Sequence, residues 1–130
     1  MGIGCDLVET NRIETSIQSL GDPFIRRVLT PTEFNEYVVR SSKSRQRGVL
    51  FVASRFAAKE ALSKALGTGI GERLSFQDVS VVNRDSGKPT FEFSNTWLNK
   101  PENSRLHAEL SITDVDHLAM AMVVVVRSAL

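Results

Sequence analysis

Apolar positions change their period along the chain. In the first half they recur at helical spacing, and from about residue 78 onward they alternate or run together. Met1 to Cys5 reads as a short strand that ends at Asp6. Val8, Ile13, Ile17 and Leu20 then predict a helix from Val8 to Leu20, stopped by Gly21-Asp22-Pro23. Phe24 to Leu29 fits a helical turn or two. Thr30-Pro31-Thr32-Glu33 is a helix start, with Thr30 as cap, Pro31 at the first helical position and Glu33 three residues after the cap. That helix is expected to reach Val39, and polar Ser41 to Arg45 to form a loop. A long central helix follows from Gly48 to Leu66, with Gly67 as a left-handed cap.

The second half predicts strands at Asp78–Asn83 and Pro89–Phe93, joined by an Arg84–Lys88 hairpin in which Gly87 allows positive φ. Ser94 to Lys100 fits a short helix stopped by Pro101. Glu109–Thr113 alternates again, Asp114–His117 makes a turn, and Leu118–Val126 is a buried strand. Helices first and strands later argue for an α+β fold, with helices packed on a small, mainly antiparallel sheet around one long central helix. With 130 residues, no repeats and no long linker, residues 1–130 read as a single domain.

The central helix sharpens this picture. At about 100° per residue, Arg55, Lys59, Ser63, Glu60 and Lys64 share one polar arc, opposite Leu50, Phe51, Ala57, Ala58, Ala61, Leu62 and Ala65. Glu60 and Lys64 form an i, i+4 pair, which a solvated salt-bridged face also explains. Charge adds that the net +1 is segregated. Residues 1–37 carry three Lys/Arg against six Asp/Glu, residues 38–73 eight against two, and residues 74–130 five against seven. A +6 block of 36 residues calls for an anionic partner. Its two aromatics, Phe51 and Phe56, lie among apolar residues, which disfavours nucleic acid. The longest apolar run, Leu118 to Val126, is nine residues and too short to span a membrane. One cysteine, Cys5, allows no intrachain disulfide, and a start without a signal-peptide pattern suggests the cytoplasm.

Several chemistries fall away. There is no phosphate loop of the GxxxxGK[ST] type, no HExxH motif and no serine-triad motif, and Gly67 to Gly71 follows a helix instead of opening one. What remains is carboxylates and cations. Mg2+ commonly takes one or two protein carboxylates and completes its shell with water and substrate phosphates. Asp6 at a strand end and Glu60 on the polar face could share one such ion.

Five segments carry a resemblance that covers essentially the whole chain. Gly2-Ile3-Gly4-Cys5-Asp6-Leu7-Val8-Glu9, with Arg12-Ile13 after it, resembles the opening motif of the phosphopantetheinyl transferases. Arg55-Phe56-Ala57-Ala58-Lys59-Glu60-Ala61-Leu62-Ser63-Lys64 and its exit through Gly67-Thr68-Gly69-Ile70 resemble their signature helix. Leu74-Ser75-Phe76, Gly87-Lys88-Pro89 and Leu110-Ser111-Ile112-Thr113 match in order and spacing, and the likeness is strongest to the short bacterial branch. The resemblance implies transfer of the 4′-phosphopantetheine arm of coenzyme A to a serine hydroxyl of an apo acyl carrier protein, of fatty-acid or polyketide type, releasing adenosine 3′,5′-bisphosphate.

It implies Mg2+ on Asp6 and Glu60, and phosphate contacts from Arg55 and Lys64. Lys59 is a weaker candidate for the same ligand. Gly87, Lys88 and Pro89 fall near the nucleotide, Ser111 and Thr113 on one strand face within its reach, and Arg12 on the carrier protein, with Arg26 and Arg27 as further docking candidates. It implies a homotrimer with sites between subunits; the apolar strand at Met120–Val126, which needs cover on both faces, agrees. The proton acceptor stays open between His117, three residues after Asp114, and a water on the metal; an exposed turn histidine is the plainer reading of His117. Two other readings are a non-catalytic module that binds coenzyme A or an acidic protein, which retention of both Asp6 and Glu60 disfavours, and an RNA-binding domain.

Overall fold

The computed structural model describes residues 1–129. The chain opens with strand β1 (Gly2–Glu9), followed by helices α1 (Thr10–Leu20), α2 (Asp22–Val28), α3 (Pro31–Lys43) and α4 (Arg45–Leu66). Strands β2 (Val79–Asn83) and β3 (Pro89–Phe93), the single turn of α5 (Asn95–Leu98), and strands β4 (Leu106–Val115) and β5 (Leu118–Arg127) complete it. The fold is α+β, as expected, but the strands form two antiparallel sheets instead of one: a three-stranded sheet in the order β1-β5-β4 and a β2-β3 hairpin. The reach of no helix among the described residues suffices, in length and apolarity, to cross a membrane.

Several boundaries differ from the expectation; α4 begins at Arg45, ahead of Gly48, and β4 at Leu106, ahead of Glu109. The first strand runs on to Glu9, because β1 pairs with β5 over its full length, from Gly2↔Val125 to Glu9↔Leu118. Val8 is therefore a buried strand residue, and the helix starts at Thr10. The stretch predicted as a loop after Val39 continues helical to Lys43, where the Ser41 and Ser42 hydroxyls donate to the carbonyls of Val38 and Val39. Ser44 alone separates α3 from α4 and caps α4 by accepting from the Arg47 N–H. Finally, β4 extends to Val115, which shortens the predicted turn to Asp116-His117.

The expected capping box at α3 is present. Thr30 Oγ1 accepts from Glu33 N, and Glu33 Oε1 accepts from Thr30 N. Gly67 ends α4 in the left-handed conformation, with φ 77°. The core lies around α4, which is covered by the three-stranded sheet on one side and by α3 on the other. Close approach of β1 depends on two glycines. A Cβ on Gly2 would lie 1.9 Å from the Ala65 carbonyl oxygen, and one on Gly4 1.8 Å from that of Ala61. Alternation along β1 then puts Asp6, the next residue on that face, over the last turns of α4.

Candidate active site

Asp6 comes from the helix-facing row of β1, and Glu60 and Lys64 from successive turns of α4. Lys64 Nζ donates to Asp6 Oδ1 at 3.0 Å and to the Cys5 carbonyl at 3.0 Å. The other carboxylate oxygen, Asp6 Oδ2, is buried and has no hydrogen-bond partner. A buried acceptor without a partner is costly unless something else completes it. Burial, and after it the negative charge of Asp6, holds the Glu60 carboxyl above its ordinary pKa. The hydrogen bond to Asp6 and the charge of Asp6 hold the Lys64 ammonium above its own. Two carboxylates crowded together with one oxygen unsatisfied form a donor set suited to a hard divalent cation.

A second group of predicted residues lies on the other side of α4. Arg55 and Lys64 are nine residues apart, about half a turn out of phase on the helix. Arg55 faces α3 and lines a cavity of about 580 Å3, whose walls include Val39, Arg40, Lys43, Arg47, Phe51, Gly87 and Pro89. Its guanidinium carbon sits 4.0 Å from the Phe51 ring centre and NH1 donates to Ser54, while Nε has no partner. Burial, the dominant cause, pushes the Arg55 pKa down to about 10. Arg40, Lys43 and Arg47 were not singled out from the sequence. The +6 charge block was the signal that contained them, and the folding of α3 against α4 is what gathers them around one cavity.

Lys59 does not face the cavity or solvent. It is fully buried, and its ammonium donates to Glu33 Oε1 at 2.6 Å and to the carbonyls of Val28 and Phe76. All three N–H groups are thus used inside the core, which leaves none for a phosphate. Arg55, Lys59 and Ser63 are buried, so the polar arc predicted for the central helix is solvent-facing only around Lys64.

Strand alternation separates the remaining candidates from Asp6. Ser111 pairs with Met122 and Thr113 with Met120, on the sheet face that points away from α4. Lys88 reaches the same edge and forms an exposed ion pair with Glu109 at 2.8 Å. His117 is exposed and lines a different cavity, with Glu14, Arg45 and Asp116. Within one chain it is not brought to the carboxylate pair. Arg12 and Arg27 are exposed and form no ion pair among the described residues, whereas the Arg26 guanidinium lies 3.9 Å over the Phe34 ring.

Comparison with known proteins follows the same outline. The profile of the 4′-phosphopantetheinyl transferase superfamily matches residues 2–123. The chain is 45% identical over 125 residues to a holo-[acyl-carrier-protein] synthase of Shewanella frigidimarina, covering 95% of each chain. It superposes on a holo-(acyl-carrier-protein) synthase from Bacillus anthracis in complex with CoA (3′,5′-ADP), with a TM-score of 0.79, 42% identity and coverage of 98% and 96%. A holo-[acyl-carrier-protein] synthase from Neisseria meningitidis gives a TM-score of 0.85 at 35% identity, covering 97% of this chain and 98% of that one.

Proposed function

The chain belongs to the 4′-phosphopantetheinyl transferase superfamily, and on that premise we propose how its residues divide the work of a phosphopantetheinyl transfer. It moves the 4′-phosphopantetheine arm of coenzyme A to a serine hydroxyl of an apo acyl carrier protein and releases adenosine 3′,5′-bisphosphate. The observation that carries the site assignment is Asp6 Oδ2, a buried carboxylate oxygen without a partner, next to Glu60. Asp6 and Glu60 would hold Mg2+. The ion would neutralise pyrophosphate charge and stabilise the leaving oxygen.

The other groups act by charge and shape. Lys64, half exposed beside Asp6, presents an ammonium to the coenzyme's phosphates. Arg55, Arg47 and Arg40 make the cavity on the α3 side electropositive, and Phe51, Val39 and Pro89 give it apolar walls that suit a nucleotide. Ser111, Thr113 and Lys88 offer hydrogen bonds from the sheet edge. Arg12 on α1 and Arg27 on α2, cations without an ion-pair partner among the described residues, are offered to the carboxylates of the carrier, with Arg26, also on α2, as a further contact. A cytoplasmic setting goes with this reaction.

The division of the site across α4 supports a homotrimer with sites between subunits. Asp6 and Arg55 lie on opposite sides of one helix, so a coenzyme that meets both kinds of residue meets them on neighbouring copies. The outer sheet face supports the same reading: Ile3, Leu7, Met120, Met122 and Val126 are exposed there.

Turnover with coenzyme A, Mg2+ and an apo carrier protein, read by mass spectrometry of the carrier, tests the function. Asp6→Ala and Glu60→Ala are each expected to abolish transfer. Full activity in both would overturn the assignment of the metal pair. Binding of coenzyme A without any turnover would favour the non-catalytic module instead.

A further inference from the structure

Lys64 has two claims on its single ammonium. It is bonded to Asp6 Oδ1 and to the Cys5 carbonyl, and so neutralises one carboxylate of the Asp6–Glu60 pair. On the reading of Asp6 and Glu60 as the metal pair, on which this inference rests, the same ammonium also meets the phosphates of the coenzyme. The backbone is rigid at this point, because Gly4 packs directly on the Ala61 carbonyl and β1 is paired along its length. The lysine stem is long and its side chain is 53% exposed, while Asp6 is only 14% exposed. Only Lys64 can leave the pair without disturbing the fold.

We propose that Lys64 is a shared counter-ion that couples metal and coenzyme binding. Seated on Asp6, it opposes entry of a divalent cation. When the coenzyme's phosphates draw it away, Asp6 is released to the metal. A metal bound first displaces Lys64 toward the phosphate position, so each ligand prepares the site for the other, and the coupling is the same in both directions. The arrangement also disfavours a metal ion held in the absence of the substrate whose charge it is there to neutralise.

Mn2+ is the probe, its free concentration read by electron paramagnetic resonance during titration of the full-length protein with and without coenzyme A. Wild type is expected to bind Mn2+ weakly alone and more tightly with coenzyme A. Lys64→Met is expected to bind Mn2+ alone about fivefold tighter or more, the effect of removing one unit charge some 4 Å away at a half-exposed site. In that variant the tightening caused by coenzyme A shrinks by the same factor. Lys64→Arg keeps the charge and the weak binding; thermal melts establish that both variants are folded. Equal or weaker Mn2+ binding by Lys64→Met alone, or equal tightening in Lys64→Arg, would overturn the coupling. Asp6→Asn separates the two levels of the argument. If it binds Mn2+ as tightly as wild type, the metal pair itself is misassigned. If it loses binding while Lys64→Met gains nothing, the coupling alone fails.

Discussion

Arg55 holds a positive charge where the surroundings oppose one. It is 8% exposed, its Nε has no partner, and burial brings its pKa down to about 10, below that of a free guanidinium. The folded chain then sheds this proton before the unfolded chain does, so stability rises as the pH climbs above about 10. At neutral pH the charge is present in both states and its burial cost, about 3 kcal/mol on the charged form, weighs fully on folding. Stacking on Phe51 returns part of that cost. Arg55→Met is therefore expected to raise stability in urea by about 1–2 kcal/mol while weakening coenzyme A binding at least about tenfold. A variant that loses stability and keeps its affinity would show Arg55 to be a packing residue. Lys59 shows where residue-level reading stops. Its helical phase was legible, but its partner Glu33 lies 26 positions upstream, and Glu33 already served as a capping residue. Nothing in the local pattern says that one carboxylate serves Thr30, Lys59 and the Val81 N–H together.

At the scale of elements, the long central helix, the capping box and most strands were legible because local chemistry dictates them: apolar period, cap residues, a hairpin glycine. The ends were less so. Val8 suits a helix face and a buried strand equally well, and only pairing with β5 decides for the strand. The contact between β1 and α4 turns on absence of side chains, which periodicity does not register. Gly4→Ala puts a methyl carbon 1.8 Å from the Ala61 carbonyl oxygen, a backbone atom that cannot step aside. The strand must then move off the helix and carry Asp6 away from Glu60 and Lys64. A loss of about 2–4 kcal/mol is expected in urea denaturation, together with loss of turnover in the fraction that remains folded. Cys5→Ala, one residue along and facing outward from the helix, is the contrast. Equal damage from both would place the sensitivity in the strand and not in its contact with α4.

For the whole molecule, the sequence named candidate residues and not their arrangement. Resemblance put Asp6, Glu60, Lys64 and Arg55 in one active site, but helix phase sets Arg55 against the others, and strand alternation does the same to Ser111 and Thr113. On the proposed reading the two halves meet between copies of the chain, and that has an arithmetic consequence. By that reading Asp6→Ala would lack the metal half and keep the nucleotide half, and Arg55→Met would lack the nucleotide half and keep the metal half. Each alone should be inactive or nearly so. Coexpressed in equal amounts and assembled at random in a closed ring, they place an intact metal half beside an intact cavity in about a quarter of the sites. Activity near a quarter of the wild-type value per site is therefore expected from the mixture, with light scattering showing trimers. Leu7→Lys, which puts a charge on the outer sheet face, is expected to give monomers and no activity, without loss of the folded circular-dichroism spectrum. Mixed trimers that recover nothing, or an active Leu7→Lys monomer, would mean that one chain assembles the whole site by a rearrangement around α4, and the division across subunits would have to be given up.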